Sequence, residues 1–453
     1  MHSAKKHAFY STFKLIGLLL LFACSQKPTY KMVYNAPIYS NKPGKTSFGY
    51  SKKKKVVQPT IIEEPSLESY DYITHNDSFH FQKTYKIGVI LPFAFDSLYR
   101  DSSAIAYSPI PKGIYPALDF YEGLRIALDS LHNTGMRLDV HIVDYSKGRK
   151  SFKTIANKAH LEEMDLLMGT LSSNDAAEVA AYALEKRIPF LSPLANSFLP
   201  THNPYYITLN PSIVEIQQKT IHHFKTDGSE KPTRFILINS NKSEKRIFDK
   251  YYSAINKSAK TSAAYEEFNW SNTTKTDTFF QLLDSNYRYV ILLASTDPNF
   301  ASQFLKAMKP VNDSIKLSYL GLPSWKDIES IATLAGKKSD IYIPNTYSVD
   351  KNSNSYKNFS RRFYEKFRIA PSELAIRGYS NTLLAAHALN NKGTGFYLFK
   401  DEVYKTMYLQ PIRIIPSKNK SLYPHHSVVD YYYNPHLSLI KYNCTGKLRI
   451  NLD

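Results

Sequence analysis

The stretch from Leu166 to Ser197, LLMGTLSSNDAAEVAAYALEKRIPFLSPLANS, constrains the fold more than any other part of the chain. It places an apolar run (Leu166 to Met168), a turn of small residues (Gly169 to Ser173), an Ala-rich segment (Asp175 to Lys186) and a second apolar run (Ile188 to Leu191) in succession. Two parallel strands need a crossover of about a dozen residues, and the Ala-rich segment supplies a helix of that length, so the order reads as a βαβ unit. Ligands of open parallel sheets settle beyond the carboxyl ends of the strands. Here those ends are Thr170 to Asn174 and Ser192 to Ser197, both rich in hydroxyls and amides. Ser173 or Asn174 is placed to cap the helix, whose first N–H groups then point at whatever fills the crevice.

The same grammar extends in both directions. Lys86 to Pro92 is a continuous apolar strand of the kind buried on both faces, Leu118 to Asn133 an amphipathic helix, Leu138 to Asp144 an alternating strand, and 151–162 a further helix. Residues 93–116 form a Ser, Tyr and Pro loop expected on the cleft side; an extended segment follows at Pro204 to Asn210, then a helix at Ser212 to Phe224. A second series has strands at Arg234 to Asn239, Ala263 to Phe268, Tyr289 to Ala294, Leu317 to Gly321 and Asp340 to Ile343. Between them lie helices at Ser243 to Ser258, Asp277 to Asp284, Phe300 to Lys309 and Lys326 to Leu334. Such alternation predicts an α/β protein of two doubly wound parallel-sheet lobes facing each other across a cleft. Helices at Ser355 to Phe367 and Glu373 to Asn390, then strands at Pro411 to Ile415, Ser427 to Tyr433 and Leu437 to Tyr442, close the chain. The expected division is 81–211 for lobe 1, with 347–395 returning to it, and 212–346 for lobe 2, with strands of 396–453 bridging the two.

The N-terminus has a different character. Lys5 and Lys6 precede an apolar run, Leu15 to Phe22, and Ala23 stands before Cys24. That layout is a secretory signal whose apolar run is too short to span a bilayer. Leu21-Phe22-Ala23-Cys24 resembles the bacterial lipoprotein box, which implies a lipoprotein-type signal over 1–24 whose Cys24 is acylated and becomes the mature N-terminus, and a periplasmic body held to a membrane by lipid. Soluble export after ordinary cleavage and an uncleaved anchor are the alternatives. Residues 25–80, with a Lys52 to Lys55 run, lack periodicity and read as a disordered tether with a mean span of roughly 40 Å. With Cys24 lipidated, Cys444 has no intrachain partner, so the fold stands without a disulfide.

A formal charge of +19 raises the question of nucleic acid. The lysines are dispersed and no zinc-finger, helix-turn-helix or RNA-recognition pattern is present, so a solvated basic surface is the reading adopted. Catalysis finds no support: GxSxG, HExxH, Walker and CxxC patterns are missing, and Gly393-Thr394-Gly395 follows a helix, the wrong context for a dinucleotide fingerprint. Glu122 and Asp144 are not paired at acid/base spacing. The adjacent pairs His222-His223 and His425-His426 point to different faces, so neither a metal nor a cofactor is expected.

The segments KIGVILP from 86, YEGLRIALDSL from 121, LDVHIVDYS from 138, MGTLSSNDAAEVAAYALEKRIPFLSPLANS from 168, YVILLAS from 289, LSYLGLPSW from 317 and FSRRFYEKFRIAPSELAIRGYSNTLLAAHAL from 359 together resemble a type I periplasmic solute-binding protein of the branched-chain amino-acid-binding class. The resemblance implies a Venus-flytrap body, with a three-crossing hinge and a small solute captured by closure, serving an ABC permease or a sensor. It further implies ligand contacts from Ser172 and Ser173, and from Leu194 and Asn196, where the family commonly has Ala and Thr. Family members usually place an acidic residue after the fourth strand of lobe 2 to pair with a ligand ammonium. This chain has Leu322-Pro323-Ser324-Trp325 there and no carboxylate before Asp327. Trp325 is then either a stacking platform for an apolar or sugar-like ligand or a structural residue under a loop. A second branch of the fold, the outer-membrane lipoprotein activators of penicillin-binding proteins, implies a regulator of a cell-wall synthase instead.

Overall fold

The computed structural model describes residues 30–33, 84–95, 110–134, 136–145, 151–194, 199–239, 265–270, 276–293, 297–310, 315–328, 331–336, 338–398, 403–404, 412–418 and 428–452, with positions 251, 255 and 295. In chain order the first elements are β1 (Tyr30–Val33), β2 (Tyr85–Leu91), α1 (Tyr115–Asn133), β3 (Leu138–Asp144), α2 (Phe152–Lys158), β4 (Leu166–Gly169), α3 (Ser173–Lys186), β5 (Phe190–Ser192) and β6 (Tyr206–Thr208). Then come α4 (Ile213–Thr226), β7 (Thr233–Asn239), β8 (Tyr265–Asn269), α5 (Thr276–Phe280), β9 (Arg288–Leu293), α6 (Pro298–Ala307), β10 (Leu317–Leu320) and β11 (Ser339–Asn345). The chain closes with α7 (Asn354–Phe367), α8 (Glu373–Lys392), β12 (Val403–Tyr404), β13 (Ile412–Arg413), β14 (Ile415–Lys418), β15 (Val429–Tyr433), β16 (Ser438–Asn443) and β17 (Gly446–Asn451).

Two sheets result, one per lobe. Lobe 1 has the strand order β1-β3-β2-β4-β5-β6-β15-β14 and lobe 2 the order β17-β16-β11-β10-β9-β7-β8, while β12 and β13 pair separately. Pairing is parallel through the middle of each sheet and antiparallel at β14–β15, β11–β16 and β16–β17. The central strands are apolar on both faces, as β9 shows with all six residues buried, because helices cover each sheet on both sides. Accordingly each lobe has two cores. In lobe 1 Val89, Leu124 and Leu384 lie on one side and Ile90, Leu167 and Val179 on the other; in lobe 2 Ile291, Phe304 and Trp325 are opposed to Leu292, Phe235 and Ile221. Both lobes are doubly wound α/β sandwiches.

In each sheet the first central strand has its successor on one side and the third strand on the other, so the crevices open between β2 and β4 and between β7 and β9. The chain passes between lobes three times, from β6 to α4, from β11 to α7 and from β15 to β16.

Several boundaries differ from expectation for local reasons. The strand after α3 starts at Phe190 and not Ile188, since Pro189 has no N–H to offer the ladder. The helix expected over 326–334 is replaced by two 3-10 turns, Pro323–Asp327 and Ile331–Leu334. Within the segment read as a disordered tether, Tyr30–Val33 pairs in parallel with Val140–Val143 at the lobe 1 edge. The final strand, Gly446–Asn451, was unforeseen; it turns back on β16 through a hairpin carrying the exposed, free Cys444. The helix expected over 243–258, most of the 93–116 loop, the lipoprotein box and Cys24 lie outside the described residues.

Candidate functional site

The crevice of lobe 1 is built by loops that leave β2, β3 and β4. After β2 the chain turns sharply, with Ala94 in the left-handed region at φ 51°. That conformation costs about 1–2 kcal/mol for a residue with a Cβ. Asp144, at the end of β3, offsets it: its two carboxylate oxygens accept from the N–H groups of Ala94 (3.0 Å) and Phe95 (2.8 Å). Phe93 stacks on Phe95 with ring centroids 5.0 Å apart and meets the Tyr121 ring edge-on, anchoring the turn in the lobe 1 core.

The turn after β4 carries the polar groups. Ser172 is exposed and is itself the N-cap of α3, one residue before the expected position: its Oγ accepts from the Asp175 N–H (3.3 Å) and donates to Asp175 Oδ2 (2.7 Å). Thr170 and Asp175 are only 5% and 7% exposed, yet Thr170 Oγ1 and Asp175 Oδ1 have no hydrogen-bond partner. Buried polar atoms left so cost about 1–3 kcal/mol each. Ser173 is half-buried in the first turn of the helix.

The turn after β5 holds Leu194, half-buried, whose carbonyl accepts from Ser192 Oγ at 3.5 Å. Asn196 lies outside the described residues. The Pro193 carbonyl accepts twice, from Asn210 Nδ2 (3.0 Å) and from Arg377 Nη1 (3.1 Å). Trp325 does not face this crevice. It is 1% exposed, its ring packs against Gly321, where a Cβ would stand 2.3 Å from the indole, and its Nε1 donates to the Ser295 carbonyl at 3.3 Å. Of the two roles open to Trp325, a stacking platform and a structural residue under a loop, its burial fits the second: the 3-10 turn beginning at Pro323 folds it back under β10.

Residues that periodicity did not single out join the lobes. Lys326, in the turn after β10, pairs with Glu373 at the start of α8 in lobe 1. Glu373 Oε1 also accepts from Arg377 Nε (3.1 Å) and Nη2 (2.9 Å), and the guanidinium lies 3.7 Å from the Tyr347 ring centroid. Burial would raise the Glu373 pKa, but Arg377 and Lys326 outweigh it and hold the carboxyl below its ordinary range. A continuous polar chain thus runs from Lys326 in lobe 2 through Glu373 and Arg377 to the Pro193 carbonyl in lobe 1.

The hinge is laced in the same way. Thr346 Oγ1 donates to Asn210 Oδ1 (3.0 Å), the Asn434 N–H donates to the Thr208 carbonyl (2.9 Å), and Asn434 Nδ2 to the Leu209 carbonyl (3.4 Å). Among the described residues no group of His, Cys, Asp and Glu is arranged to hold a metal ion, and no helix is long and apolar enough to cross a membrane.

Known proteins share this architecture. A putative branched-chain amino acid ABC transporter protein from Rhodospirillum rubrum is similar over 81% of this chain and 100% of its own, with 13% identity and a TM-score of 0.58. An ABC transporter substrate-binding protein from Desulfitobacterium hafniense, in complex with Leu, covers 81% and 100% with 16% identity and a TM-score of 0.50. The C-domain of LpoA from Haemophilus influenzae, a regulator of PBP1A, covers 81% and 99% with 12% identity and a TM-score of 0.50. Identities this low carry the fold and not the ligand. Among curated proteins none matches the sequence. The profile of the periplasmic binding protein family matches residues 117–433, from α1 to the end of β15. With two doubly wound lobes, three crossings between them and a match through most of both, the chain belongs to the periplasmic binding protein family, a family of extracytoplasmic binding proteins.

Proposed function

We propose that the protein is a non-catalytic lipoprotein that captures a small polar solute between its lobes, for uptake by an ABC permease or for sensing. The observation that carries this reading is the turn after β4, where Thr170 Oγ1 and Asp175 Oδ1 are buried without partners beside the exposed Ser172 at the sheet's switch point. A solute supplying one acceptor and one donor would satisfy both atoms. Ser172, Ser173, Leu194 and Asn196 are its proposed contacts, and Trp325 is assigned to the lobe 2 core. The test is a thermal-shift screen of amino acids, sugars and short peptides on residues 81–453. A ligand at 100 times its Kd adds about 2.7 kcal/mol to stability, and Thr170→Val or Ser172→Ala should weaken its effect. Solute capture is abandoned if no compound moves the melting temperature.

Attachment to the membrane through acylated Cys24 is part of the same proposal. It predicts that metabolic labelling with palmitate marks the wild type and not Cys24→Ser, and that this variant leaves the membrane fraction.

One observation favours a second reading, a regulator that contacts a penicillin-binding protein. The Lys326–Glu373 pair spans the gap between lobes with the protein's own side chains, as a body whose shape serves a partner would require. Co-purification of the wild type with a penicillin-binding protein, alongside a silent solute screen, would select this reading.

A further inference from the structure

Where the three crossings meet, the fold leaves a small pocket lined among others by Leu209, Thr346, Tyr347, Arg377, Asn381 and Asn434. Two properties of its wall agree. The first is a surplus of donors. Asn381 is 2% exposed and its Nδ2 has no acceptor; the Tyr347 hydroxyl faces that of Ser380, and one bond between the two leaves the second hydroxyl proton without an acceptor. Groups of this kind in a native fold mark a bound water, ion or ligand.

The second property is charge. Among the described residues lining the cavity, Arg377 is the one that carries a charge and none is acidic. Arg377 is 7% exposed, and the contacts to Glu373 and Pro193 occupy three of the five guanidinium N–H groups. The two remaining guanidinium N–H groups can donate to an anionic acceptor that also meets the Asn381 amide.

We propose that this hinge cavity binds a small carboxylate. A planar carboxylate matches a guanidinium edge and can accept from the Asn381 amide and the Tyr347 hydroxyl at the same time. Because the wall includes residues of all three crossings, a bound carboxylate contacts the segments that must bend when the lobes move. Its lining does not include Ser172 or Ser173, and it meets the turn after β5 through the Arg377 bond to the Pro193 carbonyl.

The probe is acetate. Calorimetric titration of the full chain with sodium acetate, at ionic strength held constant with sodium chloride, should give saturable binding to one site. Tyr347→Phe and Asn381→Leu should each weaken it at least tenfold. Tyr347→Phe removes a single oxygen and decides the matter if Asn381→Leu fails to fold. Absence of acetate binding, or an unchanged affinity in Tyr347→Phe, would each overturn the proposal.

Discussion

Gly123 and Gly378 form a reciprocal contact between α1 and α8: a Cβ on Gly123 would lie 1.8 Å from the Ala375 carbonyl oxygen, and one on Gly378 2.0 Å from that of Phe120. Both obstacles are backbone, which cannot rotate out of the way. Either glycine replaced by alanine should force the helices apart and cost about 3 kcal/mol, read from urea unfolding. Gly113→Ala, with nothing within 4 Å of the new carbon, is the control and should change stability by less than about 0.5 kcal/mol.

Lys326 and Glu373 are each about one-third exposed, so their pair contributes less than about 1 kcal/mol to stability, but it links two bodies across a gap. Lys326→Met should leave the melting temperature nearly unchanged and raise the radius of gyration measured by X-ray scattering, whereas Glu373→Gln also strips buried Arg377 of its carboxylate and should lower the melting temperature. Since the Glu373 carboxyl is held below its ordinary value of 4.5, the bridge is fully formed above that pH and is lost as pH falls through the lowered value. Scattering at acid pH should therefore reproduce the variants.

Glu215, in the first turn of α4, behaves oppositely. Burial pushes its carboxyl above 4.5, against the hydrogen bond with Tyr433 and the pull of Lys219. A carboxyl raised in the folded state gives stability that is whole below 4.5 and declines as pH rises through the raised value. Wild type should lose stability over that window, while Glu215→Gln should not, and the variant should be the more stable of the two at pH 8 by urea unfolding.

Trp325 fills the core of lobe 2, so its replacement should act on stability and not on solute affinity. Trp325→Ala should cost about 3–5 kcal/mol, whereas Trp325→Phe should fold and bind any solute found by screening as the wild type does. A large loss of affinity in Trp325→Phe would return the indole to the cleft.

The two-lobe architecture was legible because doubly buried parallel strands such as β2 and β9 are unbroken apolar runs, separated by helices of ordinary length. The turn after β4 and its helix cap were legible from the strand-turn-helix context, with the cap at Ser172, one residue before Ser173. The fate of Trp325 was not, since a residue after Pro323 can fold under the sheet or over the cleft, and only the contact with Gly321 decides. Lys326, Glu373 and Arg377 escaped notice for a similar reason. Their partners are distant in sequence, 47 residues for Lys326 to Glu373 and 184 for Arg377 to Pro193, and no local period reports such a meeting. Asp144 was seen as a carboxylate at a strand end; its work for the Ala94 turn needed coordinates.

The lacing of Asn210 to Thr346, and of Leu209 to Asn434, ties the first crossing to both of the others. Three strands of chain bound in this manner cannot flex one at a time. Swing of one lobe relative to the other is then confined to a single coordinate, and label pairs placed anywhere across the gap should report one common opening rate.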